Sequence, residues 1–383
     1  MIPKEKKRQT AIRRIILTAF LVLSTSACGG SGSKPPAFSP PDQWGTFGVG
    51  VREYHLIDTN RSNRTIPTLI YYPAKTPPPT GGHYEGTVTL NRINAVLDAE
   101  ADFSRAPYPL IFFSHGSGAG KQAYKYLLEY LASHGFVCVI ADHTGNATLG
   151  EYLPADLSFS ITRYYDISFV ITQALELFEC TCHGLYGLAD PERIGLAGHS
   201  WGANTALAVG GAQHSYDYFH ARCLKEPSFD PYVCPLYDQR ASLDRDFPDP
   251  RVKAVASFSH DGAQTYFGPD CTGAQAITIP ALEAGGTMDM YFNFDNEILK
   301  CYQNLGGPAY MLKLIGGGHM AFADIGDEGT MPTERMQNLI RRYTLAFFGY
   351  YLKDAGEYGS YLDPAQAAAW NEGFDDFEFT SRY

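Results

Sequence analysis

Apolar and polar side chains alternate along residues 50–75, GVREYHLIDTNRSNRTIPTLIYYPAK. A period of two is typical of β-strands that bury one face, and this stretch is rich in β-branched and aromatic residues. The polar segment DTNRSNR interrupts the alternation near its middle. We therefore predict two antiparallel strands joined by a polar turn.

Further along the chain, short continuous apolar runs alternate with stretches in which apolar residues recur every three or four positions. The apolar runs predict buried strands: YPLIFFSH, FVCVIADH, ERIGLAGHS, RVKAVASFSH, IPALEAGG and AYMLKLIGGGH. Helices are predicted between them, the last being PTERMQNLIRRYTLAFFGYYLK, which closes the pattern. Buried strands that alternate with helices indicate an α/β fold, with a mostly parallel twisted sheet covered by helices on both faces.

One segment breaks this rhythm. Residues 211–250 are irregular, contain two cysteines and separate a predicted helix from the next strand. Such an insertion forms either a cap over a site or a decorated surface loop.

The first residues carry a targeting signal. A basic segment, MIPKEKKRQTAIRR, precedes the apolar run IILTAFLVLSTSA, which indicates a signal peptide over residues 1–27. The run ends at Cys28 in a sequence that resembles a bacterial lipobox, although Thr25 replaces the usual leucine. We expect lipidation of Cys28 and attachment to a membrane, with simple secretion as the alternative. Residues 28–46 form a tether rich in Pro, Gly and Ser, and residues 47–383 form one domain.

Charge and cysteine content narrow the functional classes. The net charge is −11, and removal of the basic leader makes the chain more acidic, so nucleic-acid binding is not expected. Eight cysteines fit an oxidising compartment. Cys138 lies in an apolar strand and is predicted to be a buried free thiol. Besides Cys28, the remaining cysteines are Cys180, Cys182, Cys223, Cys234, Cys271 and Cys301.

The pairing of these six cysteines is open, because six cysteines allow about fifteen connectivities. Cys223 with Cys234 is the most local pair. Their spacing shows no CxxC pair and the histidines show no HxxxH pair, so we predict no metal site.

The stretch LAGHSWGANTAL, residues 196–207, carries the candidate chemistry. Gly-x-Ser-x-Gly alone is weak evidence, but here Ser200 follows an apolar strand and precedes a helix. That order is typical of a nucleophile elbow, in which glycines relieve crowding at a sharp turn and the serine lies at the helix N-terminus. The alternative is a glycine-rich loop of an inert α/β domain.

A serine nucleophile needs a base to take its proton and an acid to orient that base. Among eleven histidines, His319 is the candidate base because it follows the last predicted strand after three glycines. Two aspartates follow strands and could be the acid. We favour Asp289, in the glycine-led loop GGTMD, over Asp261, in SFSHDG.

The tetrahedral intermediate of acyl transfer needs backbone N–H donors for its oxyanion. One candidate is the N–H of Trp201, which follows the serine. The other is the N–H of Ser117 in FFSHGSGAGKQ, where glycines let the backbone approach a ligand. The rival interpretation, a phosphate-binding loop, lacks the GxxxxGK[ST] spacing.

With these motifs, the chain resembles serine esterases of the α/β-hydrolase superfamily. It is most similar to the platelet-activating-factor acetylhydrolase-like and dienelactone-hydrolase-like branch, near the bacterial polyester hydrolases. The resemblance spans most of residues 48–352. Its stretches are RTIPTLIYYPA, PLIFFSHGSGAG, GFVCVIADHTGNAT, IGLAGHSWGANTAL, PALEAGGTMD and GGGHMAFAD.

The resemblance implies an α/β-hydrolase fold with Ser200 as nucleophile and His319 as general base. It also implies main-chain oxyanion donors at the matching serine and tryptophan. The acid stays open, because acetylhydrolase-type members would select Asp261 and dienelactone- and polyester-type members Asp289. True dienelactone hydrolases have cysteine in place of Ser200, which favours ester rather than enol-lactone chemistry here.

The sequence thus predicts an exported carboxylic-ester hydrolase of the bacterial envelope, or a secreted one. It would act through an acyl-enzyme on short- to medium-chain, lipid-like or polyester esters, without metal or organic cofactor. One alternative is a lipase or phospholipase with residues 211–250 as a lid. The other is a non-catalytic binding lipoprotein with the same fold. Substrate identity and oligomeric state are not readable from the sequence.

Overall fold

The apolar runs of the sequence form the strands of one central sheet. The computed structural model describes residues 38–81, 94–147, 159–226, 234, 247–260, 262, 266–326, 329–367, 369 and 373–383. Within these residues the strands are β1 Gly48–Asp58, β2 Arg64–Ala74, β3 Val96–Leu97, β4 Tyr108–Ser114, β5 Val137–Ala141, β6 Ala189–His199, β7 Val252–Phe258, β8 Ala281–Gly286, β9 Ala309–Leu314 and β10 Phe377–Arg382.

The strand order is β10-β9-β8-β7-β6-β4-β5-β2-β1-β3. The neighbouring strands from β9 to β5 in this order are all parallel. β1 and β2 form an antiparallel hairpin that runs in register from Gly48 opposite Ala74 to Asp58 opposite Arg64. Both the predicted hairpin and the predicted mostly parallel sheet are confirmed.

Helices cover both faces of this sheet, as the sequence predicted. They are α1 Lys125–Ser133, α2 Phe159–Glu179, α3 Trp201–Gly210, α4 Tyr216–Lys225, α5 Ile298–Asn304, α6 Thr333–Lys353 and α7 Pro364–Ala367. Successive strand residues point to opposite faces, so Leu110 and Phe112 of β4 join the core under α2 and α3. Ile111 and Phe113 join the core under α1 and α6. Burial on both faces explains why the strands are continuously apolar.

Two elements differ from the sequence prediction. The insertion 211–250 is not irregular throughout, because α4 lies within it and buries Tyr216, Phe219 and Cys223 along one helical face. The predicted closing helix α6 is not the last element, because β10 follows it and pairs antiparallel with β9. Residues 227–233 and 235–246 lie outside the described residues, so the cap remains a prediction.

Three disulfides join Cys180 to Cys182, Cys223 to Cys234, and Cys271 to Cys301. The local Cys223–Cys234 pair is therefore confirmed. Cys138 is a buried free thiol, also as predicted.

The signal peptide, Cys28 and most of the tether fall in residues 1–37, outside the described residues. The described residues all belong to one compact unit, Pro36–Tyr383. None of the described helices has the length and apolar character that a membrane span requires.

Candidate active site

Ser200 lies at the sharp turn between β6 and α3. Its φ of 57° and ψ of −125° are rare for a residue with a side chain and indicate local strain. The turn is possible because Gly198 and Gly202 approach other backbone closely. A Cβ on Gly198 would lie 2.0 Å from the Gly202 oxygen, and one on Gly202 would lie 1.9 Å from the Ser114 oxygen. Both glycines of the motif are therefore required by the geometry of the turn.

His319 and Asp289 are brought together from loops that follow adjacent strands. His319 follows β9 and Asp289 follows β8, and the imidazole Nδ1 lies 2.7 Å from the carboxylate Oδ2. The two loops are also joined by a hydrogen bond of 2.9 Å from the Met288 N–H to the Gly317 oxygen. Because the carboxylate only accepts, Nδ1 of His319 donates to it, and in the neutral form of such a ring Nε2 is the acceptor.

The Asp289 carboxylate is held by donors on both oxygens. Oδ1 accepts hydrogen bonds from the N–H groups of Tyr291 and Phe292 at 2.8 and 2.9 Å. Oδ2 accepts from the Ser259 hydroxyl as well as from His319. Burial by itself raises the pKa of Asp289, but the hydrogen bonds and the nearby imidazole outweigh burial and lower that pKa below its ordinary value. Asp289 is therefore ionised at neutral pH.

The serine turn and the histidine–aspartate pair meet at the carboxyl end of the sheet. The Ser200 N–H donates to the Phe258 oxygen at 2.9 Å, and the next residue, Ser259, is the one that contacts Asp289. On the other side, the rings of His199 and His319 lie 4.6 Å apart. Three of the residues singled out in the sequence are thus gathered at one place on the sheet.

The β4–α1 loop, residues 115–124, borders the same place. A Cβ on Gly116 would lie 3.3 Å from the Ser200 Cβ, so the backbone of this loop runs beside the serine. The Gly116 N–H donates to the Tyr124 hydroxyl at 2.8 Å, and the Gly118 N–H donates to the Asn146 oxygen at 3.1 Å. The backbone on both sides of Ser117 is thus held by hydrogen bonds.

Trp201 is the first residue of α3. The dipole of a helix favours negative charge at its N-terminus. The Trp201 N–H is therefore placed beside Ser200 by the start of the helix. Asp261, the alternative acid, lies outside the described residues.

Two polar residues of this site belong to no sequence motif. Ser259, whose φ of 51° is strained, holds the aspartate, and Tyr124 bridges Gly116 and His199. No motif marks either of them, because they act through partners that are far away in the sequence. Within the described part of the chain, no cluster of three or more His, Cys, Asp or Glu side chains could hold a metal ion.

Comparisons with known proteins find one matching family model and a similar solved structure. The model of the Chlorophyllase family matches residues 100–221, which include Ser117 and Ser200 but not Asp289 or His319. A ferulic acid esterase from Streptomyces cinnamoneus has a similar structure, with a TM-score of 0.56 and 22% identity. That match covers 84% of this chain and 94% of the esterase, and at this identity it shows a common fold. No curated protein sequence matches the chain.

Proposed function

We propose that this chain, which has the α/β-hydrolase fold, is a carboxylic-ester hydrolase with Ser200 as nucleophile, His319 as general base and Asp289 as acid. The observation that carries the proposal is the strained turn at Ser200 beside His319, which is hydrogen-bonded to the ionised carboxylate of Asp289. Strained backbone persists where the surrounding structure imposes it, and it is concentrated at functional sites.

The reaction follows from the atoms available. The Oγ of Ser200 attacks the ester carbonyl carbon while Nε2 of His319 takes the hydroxyl proton, and a tetrahedral intermediate with a negatively charged oxygen forms. The N–H groups of Ser117 and Trp201 donate to that oxyanion. The ester C–O bond then breaks, and the imidazolium gives its proton to the departing alkoxide, which leaves as an alcohol while the acyl group stays on Ser200. His319 next takes a proton from water, which attacks the acyl carbon. The bond from that carbon to the Ser200 Oγ breaks, the imidazolium returns the proton to Oγ, and the carboxylic acid is released.

Asp289 keeps its negative charge throughout this cycle. Its pKa is lowered, so it does not take the imidazole proton, and its charge stabilises the imidazolium at 2.7 Å. The carboxylate also fixes the tautomer in which Nε2 faces the reaction as an acceptor.

The comparisons support ester substrates, since one matching family is named Chlorophyllase and one similar structure is a ferulic acid esterase. The substrate class is proposed to be short- to medium-chain or lipid-like esters. Three disulfides support export to an oxidising compartment. The signal peptide and the lipid on Cys28 are part of the same proposal.

The test is a series of chromogenic esters with acyl chains of increasing length, hydrolysed by the wild-type chain and by Ser200→Ala. We expect the substitution to lower kcat by about 10⁴-fold or more, because the nucleophile is lost. Ser215→Ala is a matched control in the α3–α4 connection and should retain activity. Equal hydrolysis by wild type and Ser200→Ala would refute the mechanism, and a strong preference for long chains would favour a lipase.

A further inference from the structure

A buried arginine of α2 holds the β4–α1 loop. Arg163 is 1% exposed, and its Nη1 donates a hydrogen bond of 2.6 Å to the His115 oxygen. Its Nη2 donates to the Oδ1 of Asn146. The planar guanidinium therefore joins the start of this loop to Asn146, in the loop that follows β5.

Asn146 carries the connection to the other side of Ser117. Its Nδ2 donates to the Ser117 Oγ at 2.9 Å, and its backbone oxygen accepts from the Gly118 N–H at 3.1 Å. Arg163 thus acts on the loop before Ser117 directly and after Ser117 through Asn146.

The Ser117 N–H belongs to the Gly116–Ser117 peptide group, and a hydrogen bond to the carbonyl oxygen of that group fixes its orientation. The Gly116 oxygen lies 2.6 Å from Nδ1 of His115, and since a carbonyl only accepts, Nδ1 carries the proton. Nε2 of the same ring accepts from the His143 N–H at 3.0 Å. Burial, followed by the charge of Arg163, lowers the pKa of His115 well below its ordinary value, so the ring stays neutral. With its carbonyl held, the peptide directs the Ser117 N–H in one orientation.

The charge on Arg163 is costly where it lies. Both of its acceptors in the described residues are neutral oxygens, and no described carboxylate is within ion-pair distance. Asp166, one turn further along α2, is bound to Arg61 and Arg64 instead. Burial lowers the pKa of Arg163 to about 10, which still leaves it charged at neutral pH. An apolar side chain would fill this position without that desolvation penalty.

We propose that Arg163 is a positioning residue that, directly and through Asn146, sets the orientation of the Ser117 N–H toward the oxyanion of the tetrahedral intermediate. This inference rests on the proposed esterase function. An oxyanion donor must lie within a few tenths of an ångström of its working position, and a loop rich in glycine does not hold that position by itself.

The test compares Arg163→Lys and Arg163→Met with the wild-type chain on one short-chain ester. We expect kcat to fall by about 10-fold and about 100-fold respectively, with KM changed by less than about threefold, because only transition-state binding is lost. A trifluoromethyl ketone, which forms the tetrahedral adduct with serine, should bind each variant more weakly in proportion to the loss of kcat/KM. Guanidinium at a non-denaturing concentration should restore part of the activity of Arg163→Ala.

Arg61→Gln is the matched control, because Arg61 contacts Asp166 in the same buried region but not the β4–α1 loop. It should keep kcat within about twofold of wild type. The proposal is overturned if Arg163→Lys keeps full kcat, if Arg61→Gln loses as much kcat as the Arg163 variants, or if ketone affinity is unchanged. Ser200→Ala distinguishes a failure of the proposed esterase mechanism from a failure of the proposed role of Arg163. Activity that persists in Ser200→Ala would refute the mechanism itself.

Discussion

Asp289 is the one of the two candidate acids whose contacts the structure describes. It accepts hydrogen bonds from His319, Ser259 and two backbone N–H groups, all of which favour its ionised form. Asp289→Asn keeps the size of the side chain but removes its charge and favours the wrong imidazole tautomer. We expect kcat to fall by about 10³- to 10⁴-fold, measured on a short-chain chromogenic ester.

Asp261→Asn is the paired variant for this measurement. It should retain most of the wild-type kcat if Asp289 is the acid. A collapse of turnover in Asp261→Asn, with Asp289→Asn still active, would assign the acid to the loop after β7 instead.

Candidate site residues that lie in a local sequence motif could be predicted from the sequence, whereas those that lie in no motif could not. Ser200 lies within a local pattern of five residues whose steric requirements are read directly from the two glycines. Arg163 and Ser259 have no such pattern. Arg163 contacts a carbonyl 48 positions earlier, and Ser259 contacts a carboxylate 30 positions later, so only the folded chain brings them to the site.

At the level of elements, α2 is anchored to the hairpin β1–β2 by one buried carboxylate. Asp166 is fully buried, and it accepts from Arg61 and Arg64 at 2.7 and 2.9 Å and from Nδ1 of His143 at 3.1 Å. Burial alone would raise the pKa of Asp166, but its hydrogen bonds and neighbouring cations lower that pKa far below its ordinary value. The carboxylate is therefore charged whenever the chain is folded at ordinary pH.

We expect Asp166→Asn to lower the free energy of unfolding by about 2–4 kcal/mol, because two partly buried arginines lose their counter-charge. The measurement is urea denaturation with the disulfides intact. Asp190→Asn is the control, since Asp190 pairs with Arg193 at a more exposed place and should cost less than about 1 kcal/mol. Equal losses in both variants would contradict the anchoring role of Asp166.

The order of elements was predictable because the strands of a parallel sheet are buried on both faces and leave continuous apolar runs. β4 and β5 are examples, since every residue in them is buried. β10 was missed because it is a short edge strand in which only Phe377 and Phe379 are buried, and its partner β9 lies more than 60 positions earlier. The buried face of α4 is hard to recognise in the sequence, because only Tyr216, Phe219 and Cys223 are buried while another apolar residue, Leu224, is exposed.

For the molecule as a whole, buried neutral histidines set the response to acid. Four buried histidines, His115, His134, His143 and His199, and the half-buried His214 have a lowered pKa. Desolvation is the largest cause of the lowered pKa in each, to about 3 for His134 and about 4 for His143 and His214. In the unfolded chain the same side chains titrate near 6.5. The unfolded state thus binds more protons between about pH 4 and 6.5.

Stability from these groups is fully present above pH 6.5 and is lost as the pH falls below it, at about 1.4 kcal/mol per histidine for each pH unit. Asp324 and Asp142 act in the opposite sense, because burial raises the pKa of both carboxyls, that of Asp324 to about 7, but they are two groups against five. We therefore expect Tm to fall by about 10 °C or more between pH 7 and pH 5. Calorimetry in buffers of different ionisation enthalpy should show a net uptake of protons on unfolding at pH 5.5. A Tm that is constant over this range, or a net release of protons, would mean that these histidines are charged or hydrated in the folded chain.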